Sequence, residues 1–476
     1  MRGCAAPESP PFGSRLEDLD WVDTFAANVR PHIRVRLEDN VLIKVPLETY
    51  PLNPTGARLL RRALDGEKIR SIALSAGADR CPERIAQIHA FFCDVRDLLS
   101  GRLGDAAKRL ATSVTPFTGS VTKYPVLSEI ALTYRCNLAC RFCYAGCGEG
   151  RPAAAPGNGE MTTEEVLTVI DRVALDGKVP SVSFTGGEPT LRADLPQFIS
   201  HAKSRGMRVN LITNGLACAS KDLVGQLVEA GLASAQVSVE GPTAEVHDAL
   251  TRGPGAFDRA LEGIRNLRDA GLHVHTNTTV CGGNAEHLNG IIDLAKSLGL
   301  ERVSMNMIIP TGTPAQPPHQ SLQISYSRIG EHVLRARDHA DRRRIAFLWY
   351  SPIPMCVFNP IAHGLGQKGC AACDGLIHVS PSGDVLPCSS FTEGVGNLLR
   401  DGFEAVWFGE PAQHYKKKQM AHALCRECEH FALCQGACVL YWRTVGYEEL
   451  FQAVRRRRAR AAYSKGERTD AVPVVA

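Results

Sequence analysis

The run Cys136-x3-Cys140-x2-Cys143 sets the strongest limit on what this chain can fold around, because it places three thiols in one short loop, with Cys147 close behind. The chain has 17 cysteines, unevenly spread. Cys136, Cys140, Cys143 and Cys147 form one group, Cys370, Cys373 and Cys388 a second, and Cys425, Cys428, Cys434 and Cys438 a third. Between Cys147 and Cys356 only Cys218 and Cys281 occur, and each, standing alone, reads as a small buried apolar side chain. The opening MRGCAAPESPPFGS has too short an apolar stretch for a secretory signal, and no apolar run reaches membrane-spanning length. The expected compartment is therefore the reducing cytoplasm, with no membrane partner. There, grouped thiols read as metal sites rather than as a disulfide framework.

The rest of the composition excludes little but bounds the architecture. With 476 residues, 44% hydrophobic and 22% charged, the chain can bury at least one large core and divide into two or three domains. A net charge of +4 gives no argument for nucleic acid, and the basic run Arg455 to Arg458 with Arg460 reads as a solvated helix face. No Ser/His/Asp set or paired-carboxylate site is forced by spacing, and none of the 15 histidines stands out as an acid or base.

Three thiolates from the Cys136–Cys143 loop can occupy three corners of a cubic iron–sulfur cluster and leave the fourth iron open. Structural zinc, with Cys147 as fourth ligand, is the alternative. Around this loop, β-rich runs alternate with helical periodicity. EIALTYR, Glu129 to Arg135, reads as a strand entering it, and Thr162 with Glu165 forms a capping box for a helix through Ile170 and Val173. Further strands are expected at Ser181 to Thr185, Val209 to Thr213, Ala235 to Val239, His273 to Val280 and Arg302 to Met307. Helices are expected at Lys221 to Glu229, Ala256 to Ala270 and Glu286 to Leu298. Six such runs indicate parallel βα units with ligands at the C-terminal strand ends, where the cysteine loop and Gly186-Gly187-Glu188-Pro189 both fall.

With Tyr144 beside the last thiol of the loop and Gly186-Gly187-Glu188-Pro189 after the next strand, residues 125–310 resemble the radical S-adenosylmethionine enzymes. The resemblance implies an α/β fold built on a partial (β/α)6 barrel. It also implies a cluster on Cys136, Cys140 and Cys143 whose open iron is chelated by S-adenosyl-L-methionine, and a 5'-deoxyadenosyl radical released after one-electron reduction. Gly186 and Gly187 would admit the methionine moiety, with Glu188, followed by Pro189, meeting its ammonium group; Asn214 closes the next strand. Ser238 and Glu240 would lie near the ribose, with ordinary loop bonding as the alternative, and Arg252 would meet the cofactor carboxylate or an exposed partner. Asn277 shares a strand face without an assigned role, and Cys147 is not needed by the family pattern. A flavodoxin or ferredoxin is the kind of electron donor implied.

Cys373-x9-Gly383-x4-Cys388 followed by Cys425-x2-Cys428-x5-Cys434-x3-Cys438 resembles the SPASM auxiliary-cluster extension, with HVSPSGDVLPC as its hairpin. The resemblance implies two further 4Fe–4S clusters, three in all. Cys370, Cys373, Cys388 and Cys438 would hold the nearer one, and Cys425, Cys428 and Cys434 three corners of the outer one. The family's further downstream cysteine is missing here. Cys356, a non-thiol ligand or solvent would complete the outer site, or Cys356 would displace Cys370 in the nearer one.

In residues 31–100, Ile33, Val35 and Leu37 alternate before Asp39-Asn40, and Val41, Ile43 and Val45 after it, suggesting a strand pair; helices follow from Thr55 and from Pro82. With PLNPTGARLLRRALDG, this segment resembles the PqqD-like domains that recognise leader peptides, a small winged-helix-like α+β module. A leader would add to a sheet edge formed around Ile33 to Val45. The expected organisation is a loose lead over 1–30, this module over 31–100 and a linker over 101–124. The core follows over 125–310, a connecting region over 311–369, the cysteine-rich extension over 370–445 and a basic tail over 446–476. Two functions follow: maturation of a ribosomally made precursor peptide through its leader and core, or radical chemistry on a small metabolite such as a carboxylated tetrapyrrole, with the N-terminal module only structural.

Overall fold

The computed structural model describes residues 15–46, 48–101, 122–147 and 159–464. Most of the expected linker, half of the expected lead and the last twelve residues of the expected tail lie outside them. The chain divides into two compact units, residues 1–127 with 178–181, and residues 128–177 with 182–476.

The first unit is built on three antiparallel strands in the order β1-β2-β3: β1 (Ile33–Arg36), β2 (Val41–Lys44) and β3 (Glu48–Pro51). Four helices accompany it, α1 (Trp21–Val29), α2 (Pro54–Leu64), α3 (Ile69–Ser75) and α4 (Pro82–Leu99). Helix α2 starts where the sequence says it must: Pro54 needs no donor in the first turn, and Asn53 accepts the Gly56 N–H at 2.7 Å. The apolar faces of these elements meet in one core that includes Leu19, Val22, Ala26, Leu42, Leu60 and Phe92.

Two expectations are corrected here. The lead is not loose up to residue 30, because Leu19, Val22 and Ala26 project from a helical turn and α1 into that core, apolar spacing that the polar residues between them obscured. The strand pair is a triplet, which makes β2 a central strand paired on both sides rather than an edge. Leu37 lies beyond the end of β1 and is exposed.

The second unit holds a ten-stranded sheet in the order β10-β9-β8-β7-β6-β5-β4-β11-β12-β13. In chain order these are β4 (Leu127–Ala131), β5 (Ser181–Thr185), β6 (Arg208–Thr213), β7 (Ser234–Ser238), β8 (His273–Val280), β9 (Arg302–Met307), β10 (Ala346–Trp349), β11 (Leu376–Val379), β12 (Asp384–Leu386) and β13 (Gly396–Asn397). The pairs β4–β5, β6–β7, β7–β8, β8–β9 and β9–β10 are parallel; β11–β12 and β12–β13 are antiparallel. The expected capping box is present, with Thr162 N–H donating to Glu165 at 2.8 Å and Glu165 N–H to Thr162 at 3.3 Å.

The two faces of the parallel sheet differ. Phe184 packs against Phe198 of the helix Leu195–Ser204, so one face is covered by helices. The opposite face carries a polar ladder, in which Asn210 donates to Ser183 at 3.1 Å and accepts from Ser234 at 2.8 Å. Three more expectations are corrected in this unit. Strand β4 stops at Ala131 instead of continuing to Arg135. The connecting region contains a helix, Tyr326–Arg343, and a seventh parallel strand, β10. The expected tail begins with a helix, Glu448–Ser464, that buries Leu450 and Ala453.

Because Leu19 is fully buried, Leu19→Ala should cost the first unit about 2–5 kcal/mol. The measurement is the denaturant midpoint of that unit's unfolding transition, and a chain starting at residue 31 should show no such transition.

Candidate functional site

The loop after β4 and the turn after β5 are built as one piece. Gly187 N–H donates to Thr133 O at 2.7 Å and Glu188 N–H to Arg135 O at 2.9 Å. A Cβ on Gly186 would stand 2.2 Å from Thr133 O, and one on Gly187 2.3 Å from Arg135 O; Gly186 also has φ +142°. The two glycines thus let the turn lie directly against the stretch leading into Cys136. The other side of the cysteine loop is braced by Ala139 N–H to Thr251 O at 3.2 Å, Arg141 N–H to Leu250 O at 2.9 Å, and Thr313 N–H to Cys143 O at 3.0 Å.

Glu188 is completely buried and ties three segments together. Its Oε1 accepts from Thr190 Oγ1 at 2.6 Å, Thr190 N–H at 3.1 Å and Thr213 Oγ1 at 2.8 Å; its Oε2 accepts from Asn214 N–H at 2.8 Å. Burial pushes this carboxyl above its ordinary range, against the pull of those bonds. Oε1 is saturated and Oε2 retains acceptor capacity. Pro189 opens the short turn that follows, and Asn214 donates to Asn137 at 2.7 Å inside the cysteine loop. Every part of the Gly-Gly-Glu-Pro motif therefore touches or supports the loop that carries the thiols.

Cys136, Cys140 and Cys143 lie closely enough for their charges to interact, and the partly buried Cys136 and Cys140 pack against Leu138, Leu216, Ala256 and Ala260. Burial pushes Cys136 up to about 11 and raises Cys140 as well. Cys143 moves the other way, held down by the Cys147 thiol and by the backbone N–H groups of Cys147, Ala145 and Gly146. Cys147 is buried, and its N–H lies 3.4 Å from Cys143 Sγ. It donates to Cys143, so Cys136, Cys140 and Cys143 are the thiols of the loop left to act as ligands. That donor set suits a cluster with one unfilled corner.

Ser238 ends β7 and Glu240 lies two residues beyond it. Glu240 is buried, its Oε2 accepts Thr279 N–H at 2.8 Å, and burial pushes its carboxyl up to about 8. Charge on Glu188 raises Cys136 and charge on Glu240 raises Cys140, so each carboxyl lies within electrostatic reach of the loop. Arg252 ends the helix Ala244–Thr251 in the left-handed region, φ +55°, next to the segment bracing the loop. Asn277 stands opposite Ser238 across β7 and β8 and donates to Asn306 at 2.8 Å. Tyr144, beside Cys143, has its phenol raised by burial.

Two further thiol sets appear in the C-terminal region. Cys373, Cys388 and Cys438 each feel the charge of Cys370, and burial pushes Cys373 and Cys438 up to about 12. Cys425 feels Cys434, Cys356 and Cys428, and Cys356 in turn feels Cys434 and Cys428. The alternatives open in the sequence for Cys356 thus narrow: it faces the outer set, on a segment whose Met355 N–H donates to Cys434 Sγ at 3.3 Å. Among the described residues no three His, Cys, Asp or Glu side chains close around a single metal ion, so the grouping rests on these mutual effects.

One pair escaped sequence reasoning. His378 on β11 is buried, and its Nδ1 lies 3.1 Å from Glu129 on β4. A carboxylate only accepts, so Nδ1 carries the proton; Nε2 is buried without a partner. Glu129 pairs in register with Ser183, which puts the dyad on the polar face of the sheet. Glu129 also bears electrostatically on Tyr144, Tyr350 and Cys388. The available signal was a lone carboxylate in LSEIA and a lone imidazole in LIHV.

The Glu240 assignment carries a pH signature. A folded value raised from 4.5 to about 8 means the native state holds the proton more tightly, so its stability relative to Glu240→Gln should fall as pH rises from about 4.5 to about 8 and then level off. Denaturant unfolding of the two metal-free proteins across that window measures it.

Residues 130–298 match the Radical SAM superfamily, and residues 370–429 match the SPASM iron–sulfur cluster-binding domain. The AdoMet-dependent heme synthase of Methanosarcina barkeri is 31% identical over 342 residues, 67% of this chain and 92% of that protein. The mycofactocin maturase MftC of Mycolicibacterium smegmatis is 28% identical over 356 residues, 69% and 83% of the two. SuiB of Streptococcus suis, solved bound to its precursor peptide SuiA, shares the fold with a TM-score of 0.62 and 16% identity over 86% of this chain and 94% of that one. With the cysteine loop, the Gly-Gly-Glu-Pro turn and the first thiols of the C-terminal sets all inside the matched segments, the chain belongs to the radical SAM superfamily as an enzyme with a SPASM domain.

Proposed function

We propose that this enzyme modifies a ribosomally made precursor peptide, captured by its leader on the first unit. The observation that carries the reading is the small unit of three antiparallel strands and four helices preceding the radical core, whose sequence resembles the PqqD-like domains. Its β1 and β3 edges are not equivalent. His32 O accepts Val45 N–H at 3.0 Å, so Ile33 and Val35 turn their carbonyls outward; these already accept from Arg34 at 2.9 Å and Arg61 at 3.3 Å. On β3, Leu52 N–H bonds inward to Asn40 O at 2.7 Å, so Thr49 points its N–H and carbonyl away from β2. A leader strand adds at β3, with Thr49 as its backbone partner. The maturase relatives support the reading.

Cys136, Cys140 and Cys143 hold a four-iron cluster which, with S-adenosylmethionine at its open iron and an electron from a flavodoxin- or ferredoxin-type donor, supplies a 5'-deoxyadenosyl radical for hydrogen abstraction. Glu188 Oε2 accepts from the cofactor's ammonium group. Glu240, neutral below about pH 8, donates toward the ribose beside Ser238, and Arg252 meets the carboxylate. Leu138 and Leu216 pack against Cys136 and Cys140 and limit the access of water to them. His378, oriented by Glu129 and with its Nε2 buried, is the candidate proton acceptor on the polar face. Cys370, Cys373, Cys388 and Cys438 hold one auxiliary cluster, and Cys356, Cys425, Cys428 and Cys434 the other.

The heme synthase relative supports a second reading, radical chemistry on a small metabolite such as a carboxylated tetrapyrrole. Mass spectrometry after anaerobic turnover separates the two, using a peptide from the nearest short reading frame in one arm and the tetrapyrrole in the other. Conversion of the tetrapyrrole alone overturns the peptide reading.

Three outcomes are expected. Replacing Cys136, Cys140 and Cys143 together by Ala should abolish formation of 5'-deoxyadenosine while leaving about eight irons per chain, and adding Cys356→Ser should lower that count. Thr49→Pro should weaken binding of the labelled precursor at least about tenfold, read by fluorescence anisotropy, with the unfolding transition of the first unit retained. His378→Asn should cut product formed per 5'-deoxyadenosine by about 100-fold, without stopping cofactor cleavage.

A further inference from the structure

The C-terminal helix Glu448–Ser464 brings a cation onto one of the cysteine sets. Arg457 Nη1 lies 3.2 Å from Cys428 Sγ, and its Nη2 is held by the Glu429 carboxylate. The neighbouring arginines do not do this: Arg455 bonds Glu448 at 2.8 Å and Arg456 bonds Gln452 at 3.4 Å. The helix is anchored at its start by Glu449, which accepts from Ser327 N–H at 2.8 Å and Tyr326 N–H at 3.3 Å and receives the Tyr441 hydroxyl at 2.5 Å. Leu450 and Ala453 are buried beneath it. Arg457 is therefore delivered by a fixed element, and the charge of Cys356 also bears on it.

The two other sets are supplied differently. Behind Cys143 stand neutral donors, the Cys147 thiol and three backbone N–H groups. Near Cys373 stands Lys418, whose Nζ is 3.3 Å from Ala372 O and 3.5 Å from Asp374, so it bonds oxygen rather than sulfur. Of the charged side chains among the described residues, Arg457 is the one hydrogen-bonded to a cysteine sulfur of these sets.

We propose that Arg457 acts through Cys428 to raise the reduction potential of an iron–sulfur cluster held by Cys356, Cys425, Cys428 and Cys434. This rests on the reading that those four thiols hold such a cluster. Reduction adds negative charge that is shared with the ligand sulfurs, and a charged N–H donor stabilises the reduced state more than the oxidised one. Glu429 offsets part of the charge and fixes the guanidinium in place, so the directed N–H···S bond carries the effect.

The test is an EPR-monitored redox titration of protein reconstituted in the Cys136→Ala/Cys140→Ala/Cys143→Ala background, where only the C-terminal clusters remain; the outer couple is the one lost in Cys425→Ser. Arg457→Gln should move that couple to more negative potential by a tenfold change in the redox equilibrium, about 59 mV for one electron, and leave the other couple in place. An unchanged outer couple, with iron and sulfide still present, overturns the inference alone. A complete lack of iron and sulfide at these thiols in the unsubstituted background overturns the underlying reading. Should Arg457→Gln fail to assemble, pulsed EPR on protein labelled with guanidinium-15N arginine decides without any substitution at 457: a 15N coupling to the reduced outer cluster supports the contact, and its absence overturns it.

Discussion

The structure of the second unit turns on two backbone hydrogen bonds, Gly187 N–H to Thr133 O and Glu188 N–H to Arg135 O. They join the loop after β4 to the turn after β5 at a distance only glycine backbone permits, since a Cβ at either position would fall inside the opposing carbonyl. The rest of the site is organised around this clasp. It fixes the start of the cysteine loop, and it delivers Glu188 to a position where the carboxylate can gather Thr190, Thr213 and Asn214. Asn214 then reaches back to Asn137, so the second and third loops both brace the first. A loop of three thiols has no rigidity of its own; neighbouring strand ends supply it.

The same parallel sheet separates two chemistries. Its helix-covered face is apolar, while the opposite face carries hydroxyl, amide, imidazole and carboxylate groups from β4 to β11, most of them bonded to a neighbour on the next strand. Buried polar groups that are paired sideways cost little and stay oriented. His378 Nε2 is one of several buried side-chain atoms among the described residues that have no hydrogen-bond partner.

How much of this the sequence revealed depended on whether local pattern and tertiary demand agreed. β5, β8 and β9 have the limits read from the sequence. β4 is shorter than EIALTYR suggests, since Thr133 and Arg135 must turn their carbonyls toward the following loop. β3 was hidden by Pro51, and β10 by its shortness. The helix in the lead escaped sequence reasoning, whereas the basic run of the tail reads as a helix face but not as an element that buries Leu450 and Ala453. The thiol loop and its glycine partner were legible because both are local in sequence. Cys356 was not assignable, because only the fold brings it to residues far along the chain, and His378 was invisible until β11 lay beside β4.

The interleaving of the two C-terminal thiol sets has a local cause. Cys434 faces the outer set and Cys438 the inner one, although only three residues separate them. Those three, Gln435, Gly436 and Ala437, all have positive φ, at 56°, 76° and 62°. Successive left-handed residues reverse the path of the chain, and two of the three are not glycine, so the reversal is held against backbone preference. The restraint is tertiary: Trp442 donates its indole N–H to Gly436 O at 2.8 Å, and Cys438 N–H donates to the Tyr326 hydroxyl at 3.3 Å. Tyr326 packs against Tyr441 and Trp442, and Glu449 from the terminal helix bonds both Tyr326 and Tyr441. The helix that ends the described chain is thus part of what keeps the two thiol sets apart, and a change in its seat acts on Cys428 directly through Arg457 and on Cys438 through Tyr326.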